Sequence, residues 1–198
     1  MRKLTTIAFA LPLMFLAANA QATTISFGGN TYFLTSVAES WSAAELEAQS
    51  YGGHLASVHN STDNQLLANT FVTGTPLWLG LADLSLDSGG GSHASNFFWS
   101  DGSAVDYTDW QGGEPNNANN NEYYTALAWH YAQGSTSSKE TWNDAPLAGS
   151  SGYGGGTEGP YFGIIEVANA PEPASLGLAA FGFASLGFAA LKRRRASR

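Results

Sequence analysis

The basic residues of this 198-residue chain lie almost entirely at its two ends. Arg2 and Lys3 open it, Lys192, Arg193, Arg194, Arg195 and Arg198 close it, and Lys139 alone lies between. Residues 23–170 therefore carry fifteen Asp and Glu against one Lys, a formal charge of -14 where the whole chain shows only -8. That charge excludes nucleic acid as a partner, because phosphate neutralisation needs a basic surface. Disorder is excluded too, since the same stretch holds all six Trp and all eight Tyr. About 150 residues suffice for one compact core without cross-links, and the chain has no cysteine to make any.

The ends read as addresses. Arg2 and Lys3, the apolar run 4–18 and the small-residue pattern Ala18-Asn19-Ala20 form a secretory signal peptide over residues 1–22, cleaved after Ala20 or Ala22. A buried N-terminal helix would have to accept Pro12 in its middle. At the other end, Pro171-Glu172-Pro173 precedes eighteen uncharged residues, 174–191, and then the basic cluster. At ~1.5 Å per residue that run is about 27 Å long, enough for a transmembrane helix. Its flanking Arg and Lys hold the C-terminus on the cytoplasmic side, so the acidic domain faces outward. The three-part pattern of residues 171–198 resembles the PEP-CTERM sorting signal of Gram-negative bacteria, with Pro171, Glu172 and Pro173 as its sorting motif. The resemblance implies an inner-membrane-anchored intermediate, an exosortase-type processing enzyme as a partner, and release to the cell surface or extracellular matrix. A permanent single-pass anchor is the alternative.

Between the addresses the pattern is α+β. A Gly28-Gly29-Asn30 turn separates residues 24–27 from 31–34, which reads as a hairpin. Ser42 and Glu45 read as a capping box, opening a helix whose apolar face carries Trp41, Ala44, Ala48 and Tyr51 and which stops at Gly52-Gly53. A second helix is predicted over 61–71, and no helical period follows it. Residues 77–81, 97–99, 125–129 and 162–167 read as strands between loops rich in Gly, Asn and Ser. Loops as long as 110–121 and 135–159 point to function.

The polar side chains of 114–122 and of Trp142-Asn143-Asp144 almost all offer oxygen. A hard cation takes six to eight oxygen ligands, whereas zinc prefers Cys and His. With no Cys, and with His54, His59, His93 and His130 at no ligand spacing, Ca2+ fits best. Glu114, Asn116, Glu122, Asn143 and Asp144 supply five metal-binding side chains, and the three carboxylates offset the ion's charge.

Residues 25–167 resemble a C-type lectin domain. Glu114-Pro115-Asn116, Glu122 eight positions after Glu114, and Trp142-Asn143-Asp144 match its motifs in order. Trp78-Leu79-Gly80-Leu81, Gly52-Gly53-His54-Leu55, Phe98-Trp99-Ser100-Asp101-Gly102 and Trp110 match its framework. The resemblance implies a fold of two helices, antiparallel sheets and long irregular loops over 23–170. It also implies a cis Glu114-Pro115 bond, a calcium shell that includes the Asp144 carbonyl, and carbohydrate binding through Glu114, Asn116, Glu122 and Asn143. The Glu-Pro-Asn order resembles members that take mannose- or glucose-type residues, so a glycan or exopolysaccharide is the implied partner.

The chain departs from that family in having no disulfides. Ala48, Ile165, Tyr124 and Leu147 stand at the four expected positions, which predicts buried packing in place of the cross-links. An auxiliary calcium site of some relatives would need acids where Asn117 and Tyr123 stand, and is expected to be absent. Of the tryptophans, only Trp129, or the nearby Tyr131, is a candidate for stacking on a sugar. Two other functions use the same residues. One is a structural or protein-binding matrix component whose calcium only orders the loops; the other is a glycoside hydrolase with Glu114 and Glu122 as acid and base. The second is disfavoured because ligation explains both acids, so no enzyme activity is expected.

Overall fold

The computed structural model describes residues 23–84, 96–132, 138–149 and 159–169. The leader 1–22, the sorting motif 171–173 and the span 174–191 lie outside the described residues, among which no helix is long and apolar enough to cross a membrane.

The hairpin forms as expected. Strands β1 (Ile25–Phe27) and β2 (Asn30–Leu34) pair antiparallel around Gly28 and Gly29, whose φ of 59° and 87° suit glycine. β2 continues onto β8 (Phe162–Ala168), with Asn30 opposite Ala168 and Leu34 opposite Ile164, so the two ends of the domain are zipped together.

Helix α1 (Trp41–Ser50) starts one residue before the predicted cap. Ser40, not Ser42, is the N-cap, its hydroxyl accepting from the Ala43 N–H. That register turns Glu45 onto the inner face with Trp41, Ala44 and Ala48, so it makes no capping box. Its carboxylate instead accepts from the Leu55 N–H at 2.9 Å and Ser100 Oγ at 3.0 Å, and meets His54 Nδ1 at 2.6 Å. Tyr51 falls past the helix end, exposed, edge-on to Phe33. Helix α2 (Ser61–Phe71) keeps its predicted bounds, is capped by Asn60, and buries Asn64, Leu67, Ala68 and Phe71.

The remaining strands are β3 (His54–Leu55), β4 (Leu77–Ala82), β5 (Phe98–Trp99), β6 (Tyr124–Leu127) and β7 (Trp142–Ala145). The sheet order is β1-β2-β8-β4-β6-β7, with β3 on β8 and β5 on β4. All pairs are antiparallel except β4 with β8, so the sheet is mixed rather than antiparallel throughout. The long chain between these two strands leaves room for the crossover a parallel pair needs. The predicted strand 125–129 ends early: Ala128 turns the chain at φ 64°, and Trp129–Ala132 forms a short helix, α3, where no further helix was predicted.

Two packed clusters fill the space between the helices and the sheet. Trp78, Trp99 and Trp142 are fully buried. Burial of an indole N–H is costly unless it finds an acceptor, and Trp41, Trp78 and Trp142 donate to Leu79 O, Glu39 O and Asn64 Oδ1. The edges of Trp99, Tyr107 and Trp110 meet Trp142 at 5.8–5.9 Å between centroids. Of the four positions that replace cysteines, Ala48 and Ile165 are fully buried, with α1 packed on β8, and Tyr124 stacks at a tilt on Trp41. Leu147 does not follow: it sits in the turn after β7 and is 42% exposed, so only three of the four are buried packing.

Candidate functional site

The long loop that leaves Trp110 returns beside β7. It is anchored at its start, where Trp110 bridges Trp142 and the Gln111 N–H donates to Trp142 O at 2.8 Å. A cis peptide joins Glu114 to Pro115, as the resemblance implied. The loop then runs through three Asn residues at positive φ, Asn117 (47°), Asn119 (58°) and Asn120 (53°), with a 3-10 turn at Ala118–Asn120. Asn tolerates this region because its short amide bonds locally. The run is thus a defined turn, exposed except at Asn117.

All five predicted ligand residues meet here. Asp144, fully buried on β7, accepts from the Asn116 N–H at 3.1 Å and the Asn117 N–H at 2.7 Å. Glu122 accepts from the Ala118 N–H at 2.9 Å. Asn116 offers N–H groups to Glu114, and Asp144 also lies against Glu114. Next to Asp144 on β7, Asn143 is 3% exposed and its Nδ2 donates to the Asp144 carbonyl.

The electrostatics follow from this crowding. Burial, and then the charge of Asp144, push the Glu114 and Glu122 carboxyls up to about 7. Burial raises Asp144 as well, against the pull of the two N–H groups it accepts. Although these acids sense one another, they do not close into a cage of three carboxylates; among the described residues no group of three or more His, Asp or Glu is arranged to hold a metal. Any cation site here depends on amide oxygens. Asn143 provides the test: its Oδ1 is buried and accepts no hydrogen bond from the protein. A buried amide oxygen without a donor costs about 1–3 kcal/mol, a deficit that a cation would offset. The donor set, all oxygen, fits Ca2+.

Two features escaped the sequence reading. Asn117, taken only as a missing acid, is 4% exposed and bonds both Asp144 and Glu122. Asn64 of α2 supports β7 from behind, accepting from Trp142 Nε1 and donating to Asp109 Oδ2 at 3.0 Å and Glu140 O at 2.9 Å. The only sequence signal for it was a polar residue on the inner face of a helix. Trp129 is 8% exposed, while Tyr131 offers an open ring. Of the described histidines, His54 pairs with Glu45 and His59 with Asp106, both away from the loop.

Comparison with known proteins places the chain. Residues 37–148 match the lectin C-type domain family, and residues 169–195 match the PEP-CTERM protein-sorting motif. Ladderlectin of Oncorhynchus mykiss is 34% identical over 123 residues, which cover 60% of this chain and 57% of ladderlectin. The alpha-N-acetylgalactosamine-specific lectin of Patiria pectinifera is 33% identical over 128 residues, covering 60% of this chain and 68% of that lectin. The chain thus spans a little over half to about two thirds of the length of these relatives. In fold, the chain is similar to the C-type carbohydrate-recognition domain of cow CD23 in the presence of GlcNAc2Man3 oligosaccharide. The TM-score is 0.56 at 24% identity, covering 75% of this chain and 95% of that one. By the match over residues 37–148, more than half its length, the chain belongs to the C-type lectin domain family.

Proposed function

We propose that residues 23–170 form a calcium-dependent carbohydrate-binding module of an exported protein. Glu114, Asn116, Glu122, Asn143 and Asp144 would hold the ion, and Glu114, Asn116, Glu122 and Asn143 would also face the sugar. The observation that carries this reading is the buried Asn143 Oδ1 without a donor, set beside three carboxyls that burial and mutual repulsion raise. A bound calcium ion supplies coordination positions for two vicinal sugar hydroxyls. The chain's own part is hydrogen bonding: carboxylates accept from those hydroxyls and amide N–H groups donate to them, which is why acids and amides are paired. The Glu114-Pro115-Asn116 order favours mannose- or glucose-type residues, and the relatives named as lectins support sugar binding in general. The function is binding, not turnover.

In this reading residues 1–22 direct export. Residues 171–198, carrying the sorting motif Pro171-Glu172-Pro173 and the span 174–191, anchor the protein until an exosortase-type enzyme processes it for the surface or matrix. The test is a glycan array with the full chain in detergent, run with calcium and with chelator. Calcium-dependent binding of mannose- or glucose-type glycans is expected. A calcium-dependent rise in melting temperature with a blank array would instead mark a structural matrix component. A melting temperature indifferent to chelator would remove the calcium reading, and polysaccharide turnover would remove the non-enzymatic one.

A further inference from the structure

We propose that Asn117 is the positioning residue of this site: it fixes Glu122, at the end of the loop, and Asp144, on the neighbouring strand β7, without contacting the sugar itself. The inference rests on the calcium reading above. Within the run 116–121 Asn117 alone is buried, so it acts through its neighbours. Its φ and ψ of 47° and 51° turn its backbone so that three groups point three ways. The N–H donates to Asp144 Oδ2 at 2.7 Å, the side-chain Oδ1 accepts from the Glu122 N–H at 2.9 Å, and the carbonyl accepts from the Asn120 N–H at 2.9 Å. The next residue completes the grip, because the Ala118 N–H holds the Glu122 carboxylate. Glu122 is therefore pinned at both its backbone and its carboxylate by one dipeptide. Tyr123 Oη, donating to Asn120 O at 3.0 Å, closes the turn from the far side.

Asn suits this position on two counts. It tolerates the left-handed backbone, and its side chain reaches an N–H five residues on. Asn117→Gly separates the two, since glycine keeps the left-handed turn and the N–H to Asp144 but removes the acceptor for Glu122. Asn117→Asp keeps both turn and acceptor. The experiment uses the full chain in detergent, with calcium affinity measured by calorimetry. Europium lifetimes in H2O and D2O then count the waters on the bound ion.

Asn117→Gly is expected to weaken calcium binding roughly 10–100-fold, the usual effect of losing a partner that orients a ligand. Bound europium should gain about one water as Glu122 is released. Asn117→Asp should keep the wild-type water count. A residue that only stabilised the loop would lower the melting temperature and leave that count unchanged. Wild-type affinity and water count in Asn117→Gly overturn this inference while leaving the calcium reading intact, and so does an extra water in Asn117→Asp. Failure of the wild-type chain to bind either ion overturns both.

Discussion

Without metal, the stability of this domain should fall as pH rises from about 5 to 8, and calcium should reverse the slope. Glu114 and Glu122 each stand at about 7 in the folded chain against an ordinary 4.5, chiefly through burial and then through the charge of Asp144. For an acid raised on folding, the native state holds more protons than the unfolded chain between those two values. Stability is therefore greatest below the lower value and is lost as pH climbs through the upper one. Taken at face value, each carboxyl contributes about 3 kcal/mol. Both are partly exposed, and solvent screening cuts that to roughly 1–2 kcal/mol each. The pair then lowers the metal-free melting temperature by on the order of 10 °C over this range. On the proposed calcium reading the ion would bind the deprotonated carboxylates, so its stabilisation should grow over the same interval and its uptake near pH 6 should release protons. Scanning calorimetry with chelator and with calcium, on wild type and on Glu114→Gln/Glu122→Gln, measures all of this. A metal-free slope that the double substitution leaves unchanged would refute the assignment to these two carboxyls.

Other consequences are more local. Asn143→Ala should abolish the calcium-induced melting shift while lowering the metal-free melting temperature by only a few degrees, since it loses the Nδ2 bond to the Asp144 carbonyl but also removes the donorless Oδ1; paired thermal melts with calcium and chelator decide it. Gly53→Ala should cost about 3 kcal/mol or more in urea unfolding, since the added Cβ would stand 2.0 Å from the Glu166 carbonyl oxygen. Its neighbour Gly52 has open space around it, so Gly52→Ala should cost only about 1–2 kcal/mol for its φ of 79°. Asn64→Leu should cost roughly 2–4 kcal/mol, because it strands the Trp142 indole N–H and unties Asp109 and the Glu140 carbonyl; it should weaken calcium binding only through β7, visible as a smaller affinity loss than that of Asn143→Ala.

What the sequence made legible was whatever local chemistry dictates. Gly28-Gly29 specified a turn by conformational freedom alone, and α2 kept its predicted ends because Asn60 caps it and its inner residues keep a helical period. The proposed ligand set was read from the same kind of local chemistry: an oxygen-only stretch suits a hard cation whatever its fold. Long-range pairing hid the rest. Glu45 faces inward because His54, Leu55 and Ser100 wait there, and none is within its own helix. β7 is buried on both faces, so its four residues show no alternation by which to find a strand. The bend at Ala128 occurs at a residue that rarely takes positive φ, so nothing in its type announced it. Leu147 is exposed because Pro146 opens a turn there, which lifts the side chain off the core that Tyr124 shares with Trp41.

The segregation of charge along the chain bears on why the loop is built as it is. Residues 23–170 contain one Lys and no Arg, so carboxylates brought together in this domain have almost no internal cation to pair with. Elsewhere the domain resolves its acids with neutral donors and histidine: Glu166 takes the Ser57 N–H and Tyr32 Oη, Glu45 the Leu55 N–H and His54. At the loop the backbone supplies two N–H groups to Asp144 and one to the Glu122 carboxylate, and burial still drives Glu114 and Glu122 up to about 7. Hydrogen bonds alone therefore do not balance the site near neutral pH. A lysine or arginine placed there would settle the charge permanently, but it would occupy the space between the ligands and leave Asn143 Oδ1 facing a fixed partner. Leaving the charge unsettled keeps these carboxyls sensitive to protons on the acidic side of neutrality and, on the proposed calcium reading, open to a divalent cation above it. A domain whose only basic residue is Lys139 is one whose acids remain available for that exchange.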